Sequence, residues 1–291
     1  MRLVRLDEEI NEAYERCVSE ATTAFGNGAV FLEEFLDEVR HIEVQIVADG
    51  HGGVKHLYER DCSVQLRSQK VVEVAPARMH PGLRERILDC VVNLARKANY
   101  RRVGTVEFMV AGPRSALCLH GGENPRIQVE HTITEEVTNV DIVKTQLGIA
   151  GGSKLEDLGL PGGPGNALSP LRSFSIQCRV SLAPGGGSTV ADYSEPYGEG
   201  VRIDAALYQG GSPSMHYDPL VGKPICFASG EGIESSPSQI GEEAFQACRE
   251  RTIAAFDAYQ ITGVNTNKDT LKGILAHPGF VTNEVLLSFD S

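Results

Sequence analysis

The sequence predicts an α+β fold, with strands and helices mixed and no regular strand–helix–strand repeat. Three observations carry this. Segments with a two-residue apolar period, such as "HIEVQIVA" at 41–48, are interspersed with segments of helical period, such as 83–95. At 291 residues and 41% hydrophobic, the chain can build one large or two medium cores. A glycine- and proline-rich stretch, "LGLPGGPGNALSP", marks a boundary, giving segments 1–157 and 173–291 joined by a linker at 158–172.

Taken in order, Ile10, Tyr14, Cys17, Val18 and Ala21 have helical spacing, and "AVFLEEFL" comes next as a short apolar run. In 41–48, Ile42, Val44 and Ile46 share one strand face; His41, Glu43 and Gln45 share the other. "DGHGG" turns the chain into a second strand, so 41–60 reads as a hairpin, with a further extended segment at 64–74. Pro81 opens an amphipathic helix carrying Leu83, Ile87, Val91, Leu94 and Ala95. "GTVEFMV" and "RIQVE" are predicted strands, and Thr132 with Glu135 has capping-box spacing ahead of a helix carrying Val137, Val140, Val143 and Leu147. Beyond the linker, "FSIQCRV", "GVRIDAALY" and "KPICFA" read as strands. A helix at about 239–259, capped by Ser236 and Gln239, and two short helices close the chain.

The net charge of −12 argues against nucleic acid or an anionic membrane as partner. No apolar run approaches the roughly 20 residues that span a bilayer, and the N-terminus lacks a secretory core. The seven cysteines are scattered singly, without metal-site spacing, and suit reduced thiols in a cytoplasm-like compartment.

The chemistry concentrates in "ENPRIQVEHTITEE", 123–136. As a strand, "RIQVE" points Arg126, Gln128 and Glu130 to one face. Glu107 lies amid apolar neighbours, where a carboxylate needs a partner or a cation. "RDCSVQLRSQK" adds Gln65, Arg67, Gln69 and Lys70. Oxygen ligands suit magnesium, and lysine and arginine suit phosphate or carboxylate, which is the equipment of phosphoryl transfer.

The stretches 41–77 and "GTVEFMV", with "ENPRIQVEHTITEEVTNVDIVKTQLGIA", "YDPLVGKPICFA" and "ITGVNTNKDTL", resemble biotin carboxylase, an ATP-grasp ligase, nearly end to end. The resemblance implies the C-terminal part of an ATP-grasp domain followed by the biotin carboxylase C-terminal α+β domain. It implies two steps: ATP and bicarbonate give carboxyphosphate, whose CO2 passes to biotin on a carrier protein. Glu130 would be the base toward bicarbonate. Lys70 and Arg126 would hold bicarbonate and carboxyphosphate, with Gln128 and the Val129 N–H assisting. Arg179 would stabilise charge on the biotin ureido oxygen. Glu107 and Asn124 would ligate magnesium, or manganese in its place. Glu33, Glu34 and Leu36 would read adenine, with His41, Gln65 and Met109 as further nucleotide contacts. A carboxyl carrier protein, a carboxyltransferase and a second copy of the chain are the implied partners.

The pattern departs from the family in three places. "MRLVRL" resembles the segment just after the family's glycine-rich phosphate loop, so the implied ATP-grasp domain is partial. A natural start further upstream would also leave a mitochondrial or plastid address open. In "LCLHGGEN", Gly122 stands where the family has a second magnesium-binding glutamate, and Glu123 fills that place only through a one-residue slip, which changes the strand face. Ser68 and Glu34 replace a histidine and a lysine. Two other readings compete: a catalytically dead dimerisation or scaffold module, and another ATP-grasp ligase of the carbamoyl-phosphate synthetase type.

Overall fold

The computed structural model describes residues 2–111, 118–160, 172–214, 216, 218–230 and 237–287. By internal contacts the chain forms two units, Met1–Asp37 and Glu38–Ser291. In the first, a short 3-10 turn at Asp7–Glu9 leads into helix α1, Ile10–Phe25, which ends at Gly26 in the left-handed region. The helical spacing predicted for 10–21 is there, but α1 buries none of its residues, and Phe31, Leu32 and Phe35 of the apolar run are exposed.

The second unit is organised by one sheet. Its elements, in chain order, are β1 (Val39–Ala48), β2 (Val54–Leu66), β3 (Gln69–Ala75), α2 (Pro81–Lys97), β4 (Arg102–Ala111), β5 (Cys118–Asn124), α3 (His131–Thr138), α4 (Ile142–Ala150), β6 (Ser173–Cys178), β7 (Val180–Ser181), β8 (Tyr193–Ser194), β9 (Val201–Ala205), β10 (Leu220–Ser229), α5 (Pro237–Ala258), β11 (Gln260–Ile261), α6 (Lys268–Ala276) and α7 (Pro278–Thr282). Nine strands form a single sheet in the order β5-β4-β1-β2-β3-β6-β10-β7, with β9 also paired to β10. All described pairings are antiparallel. The β3–β6 pairing carries the sheet past the glycine-rich stretch, of which 161–171 lies outside the described residues, as does Ser236.

The predicted hairpin at 41–60 is β1–β2, and Ile42, Val44 and Ile46 share a core with Leu83, Ile87 and Val91 of α2. The opposite, polar face of β1 is buried as well: His41, Glu43 and Gln45 are all inaccessible. A larger core joins β3, β6 and β10 to α5, α6 and α7 through Ile176, Phe245, Phe256 and Leu271.

Three local expectations fail. Residues 126–130 form no strand: β5 ends at Asn124, Pro125 supplies no ladder donor, and a turn closed by His131 N–H to the Gln128 carbonyl (3.3 Å) leads into α3. Thr132 is no cap. It lies inside α3, whose N-cap position is Glu130, and its hydroxyl donates to Gln177 Oε1 instead. The helix expected over 137–147 is two helices, because Asn139 takes a left-handed φ of 55° and Asp141 restarts the chain by accepting from Lys144 N–H.

Gly200 provides a test of the C-terminal packing. Its φ is +69°, and a Cβ there would run into the Phe227 carbonyl oxygen and the Arg251 guanidinium. Gly200→Ala is expected to lower stability by about 2 kcal/mol or more, read from the denaturant midpoint. A midpoint equal to that of the parent would refute this packing.

Candidate functional site

The polar face of the sheet gathers side chains that are distant in sequence. Glu43 pairs across the ladders with Arg60 on β2 and Glu107 on β4, so all three project to one side. Arg60, fully buried, donates to Glu43 Oε1 (2.6 Å), Gln45 Oε1 (2.9 Å), Thr134 Oγ1 (2.9 Å), Thr105 Oγ1 (3.3 Å) and Gln128 Oε1 (3.0 Å). Lys70 Nζ donates to Glu43 Oε2 (2.7 Å) and Glu130 Oε1 (2.6 Å) and lies 3.5 Å from Glu107 Oε1. Arg179 bridges Glu73 Oε1 (2.5 Å) and Glu130 Oε2 (3.0 Å). Gln177 steadies Glu73 Oε2 at 3.1 Å and is itself held by Thr132.

These contacts set the charges. Burial alone would raise Glu43, but Arg60 and Lys70 outweigh it and hold the carboxyl at about 2. Glu107 also meets a burial penalty, overcome by His41, Lys70 and Gln128, which bring it to about 2. For Glu73 burial wins: reinforced by nearby Glu130, it raises the carboxyl to about 7 despite Arg179. Burial pulls Lys70 down, yet Cys62, Glu43 and Glu130 carry it above the ordinary lysine value. The Cys62 thiol is pushed up by its burial.

The structure brings together Lys70, Glu107, Gln128, Glu130, Arg179 and His41. His41 Nδ1 meets Gln65 Nε2 at 3.2 Å, and Met109 lies opposite His41 in the ladder. Among the described residues no hydrogen bond reaches the buried His41 Nε2, which lies 3.5 Å from Glu107 Oε2. Val129 is joined through its carbonyl to Lys223 Nζ at 3.1 Å. Arg126 is not brought in: with 126–130 a loop rather than a strand, it is exposed and, among the described residues, donates to the Ile127 carbonyl (3.1 Å). Glu33, Glu34 and Leu36 belong to the first unit, outside regular secondary structure.

Asn124 Nδ2 and Gln128 Nε2 donate to Glu107 Oε1 at 2.8 and 3.0 Å. Glu107 Oε2 and Asn124 Oδ1 are then oxygen donors of the kind magnesium takes, and the pair fits that ion. Glu123 does not join them. A bulge in β5 sets Gly122, with φ of 156°, opposite Glu107, and Glu123 opposite Val106. Glu123 therefore faces Tyr100 and α2, on the other side of the sheet.

Sequence reasoning missed Arg60, Glu73, Gln177 and Lys223 as members of this cluster. Glu43 was visible on the polar side of β1, but nothing in the pattern showed that this side is covered.

Residues 1–158 match the family model described as carbamoyl-phosphate synthase L chain, ATP binding domain, and residues 177–289 match the biotin carboxylase C-terminal domain. The pyruvate carboxylase of Aspergillus terreus is 42% identical over 298 residues, covering 99% of this chain and 23% of that protein. The mitochondrial pyruvate carboxylase of Homo sapiens is 40% identical, with 99% and 24% covered. Among solved structures, the biotin carboxylase domain dimer of Hydrogenobacter thermophilus 2-oxoglutarate carboxylase, in complex with MgADP, ADP and bicarbonate, superposes with a TM-score of 0.85 at 34% identity, covering 98% of this chain and 60% of that one. The fold is thus that of the ATP-grasp-type ligases. The chain belongs to the biotin carboxylase family of ATP-dependent carboxylases. It spans about a quarter of the length of the pyruvate carboxylases it matches.

The low value of Glu43 has a consequence for folding. A carboxyl depressed in the folded state contributes stability above its unfolded value of 4.5, and that stability is lost as pH falls toward about 2. The contribution is about 3 kcal/mol. Glu43→Gln is expected to flatten the fall of stability with pH across this window in denaturant titrations. A slope like the parent's would show that Glu43 is not held low.

Proposed function

We propose that this chain contributes the carboxylating site of a biotin-dependent carboxylase: ATP and bicarbonate react to carboxyphosphate, and CO2 passes to biotin on a carrier protein. The observation that carries this reading is Glu130, whose two oxygens accept from Lys70 and Arg179 at 2.6 and 3.0 Å. A base for bicarbonate must be a carboxylate at the edge of an anion site, and Glu130 has a cation on each side. Lys70 would face carboxyphosphate, and Arg179 would face the ureido oxygen of biotin. Gln128 and the Val129 N–H would donate to bicarbonate, with Arg126 closing over it from its exposed position. Glu107 and Asn124 would hold magnesium, or manganese, whose charge would balance ATP phosphates. His41, Gln65 and Met109 would contact the nucleotide, and Glu33, Glu34 and Leu36 its adenine. MgADP and bicarbonate in the Hydrogenobacter relative support this set of ligands, as its dimer supports a homodimer here.

The two family matches support an ATP-grasp-type domain at 1–157, a linker at 158–172 and a C-terminal domain at 173–291. A carboxyltransferase would then use the carboxylated carrier. No helix among the described residues is long and apolar enough to cross a membrane. The free cysteines suit a reducing compartment, cytoplasmic or, as in the human relative, mitochondrial.

The second reading, a dead scaffold module, is favoured by one feature: Gly122 lies opposite Glu107 and Glu123 is on the far face, so one expected carboxylate is lacking. Magnesium-dependent ATP binding in calorimetry would exclude it. The carbamoyl-phosphate alternative fits less well, because residues 177–289 match the biotin carboxylase C-terminal domain.

In the intact protein, bicarbonate-dependent phosphate release from ATP is expected to require biotin, and Glu130→Gln to slow it about 10²–10⁴-fold. Turnover indifferent to biotin, or stimulated by an amine donor in its place, would overturn the proposal, as would an unimpaired Glu130→Gln variant.

A further inference from the structure

We propose that Arg60 is a positioning residue for the anion site: it fixes which edge of the Gln128 amide faces bicarbonate and which oxygen of Glu43 remains for Lys70. The inference rests on the function proposed above. Arg60 has five N–H donors, and all five are used, on Glu43, Gln45, Thr105, Thr134 and Gln128. These acceptors come from β1, β4, α3 and the loop before α3, so one guanidinium ties the strands to the segment that carries Glu130.

Two groups nearer the chemistry are affected. Gln128 Oε1 is taken by Arg60, so its NH2 is turned toward Glu107, and its second N–H is the one that would donate to bicarbonate in the proposed function. A flipped amide would present an oxygen there and repel an anion. Glu43 Oε1 is taken as well, so Lys70 meets Oε2 alone and keeps its shorter contact to Glu130. Without Arg60, Glu43 would compete with Glu130 for Lys70 with both oxygens. Lysine at position 60 would supply charge but only three donors, from a single point.

The test compares Arg60→Lys and Thr134→Val with the parent in the intact protein. Thr134→Val removes one anchor and leaves the guanidinium in place. In steady-state kinetics, Arg60→Lys is expected to raise KM for bicarbonate about ten- to a hundredfold with KM for ATP nearly unchanged, and Thr134→Val to move it less in the same direction. A general loss of folded protein would lower kcat and leave both KM values alone, and that result overturns the proposal. A second measurement does not need turnover. The Gln128 side-chain NH2, followed by nitrogen-edited NMR, is expected to be protected from solvent exchange in the parent and to lose protection in both variants. Retained protection overturns the role of Arg60 whether or not the parent carboxylates biotin. A parent without biotin-dependent turnover whose Gln128 protection still depends on Arg60 would instead count against the function.

Discussion

The structure depends on the burial of a charged cluster beneath α3. Arg60, Glu43, Glu73 and Glu130 are removed from water, and Lys70, Arg179 and Glu107 largely so, on a sheet face that would ordinarily be solvated. An isolated ion there would cost several kcal/mol even after relaxation, so each must be answered by a partner of opposite sign or by several hydrogen bonds. The sheet answers it through register. Because Arg60 and Glu107 are the ladder partners of Glu43, the three side chains share one side of the sheet; the pairing of β3 with β6 sets Gln177 opposite Glu73, and Arg179, just past the end of β6, reaches the same carboxylate. Register is therefore fixed twice, by the apolar face packed on α2 and by the charges on the other face. Slipping β2 by one residue would send Arg60 into the apolar core and leave Glu43 without its nearest cation.

Much of this is readable in the sequence. The two-residue period of 41–48 assigns both faces of β1 correctly, and the 3.6-residue period places α2. Alternation alone, however, does not distinguish a polar face in water from one covered by protein. Arg60, within "YERDC", looks like a solvated arginine, and only the arrival of α3 from more than 70 residues away makes it a buried hub. The segment 126–130 shows the reverse error. It has the alternation of a strand, but β5 is an edge of the sheet and ends at Asn124, so the backbone turns into α3. Turning lets Gln128 and Glu130 enter the buried cluster while Arg126 stays outside, a division that a strand with one polar face could not make.

Strand parity also decides where Glu123 points. A single inserted residue in a strand can restore a displaced side chain, and the bulge in β5 looks at first like such a repair. Its effect is the opposite: the bulge lies between His120 and Gly122, before the glutamate, so Asn124 stays on the Glu107 face and Glu123 is sent to the α2 face. Sequence shows the one-place offset, and only the register decides its sense.

Charge balance ties these points to the proposed chemistry. Arg60, Lys70 and Arg179 stand against Glu43, Glu107 and Glu130, while Glu73, raised to about 7 by burial, carries only part of a charge near neutral pH. Glu43 and Glu130 each touch two of the three, and Glu73 holds Arg179. Glu107 is different: its close donors are the amides of Asn124 and Gln128, and Lys70 stands back at 3.5 Å. Held closely by neutral amides, partly open to solvent and 3.5 Å from both Lys70 and His41, Glu107 has looser charged contacts than Glu43, Glu73 or Glu130, which suits it to accept an added cation. In the proposed chemistry an added anion would sit beside Lys70 and Arg179, whose shared partner Glu130 would exchange a contact for the bound oxyanion. The loosely paired carboxylate and the cations around Glu130 therefore sit at different points of one network. A site that binds a divalent cation and an anion side by side requires that separation, and a balanced set of closed ion pairs would not provide it.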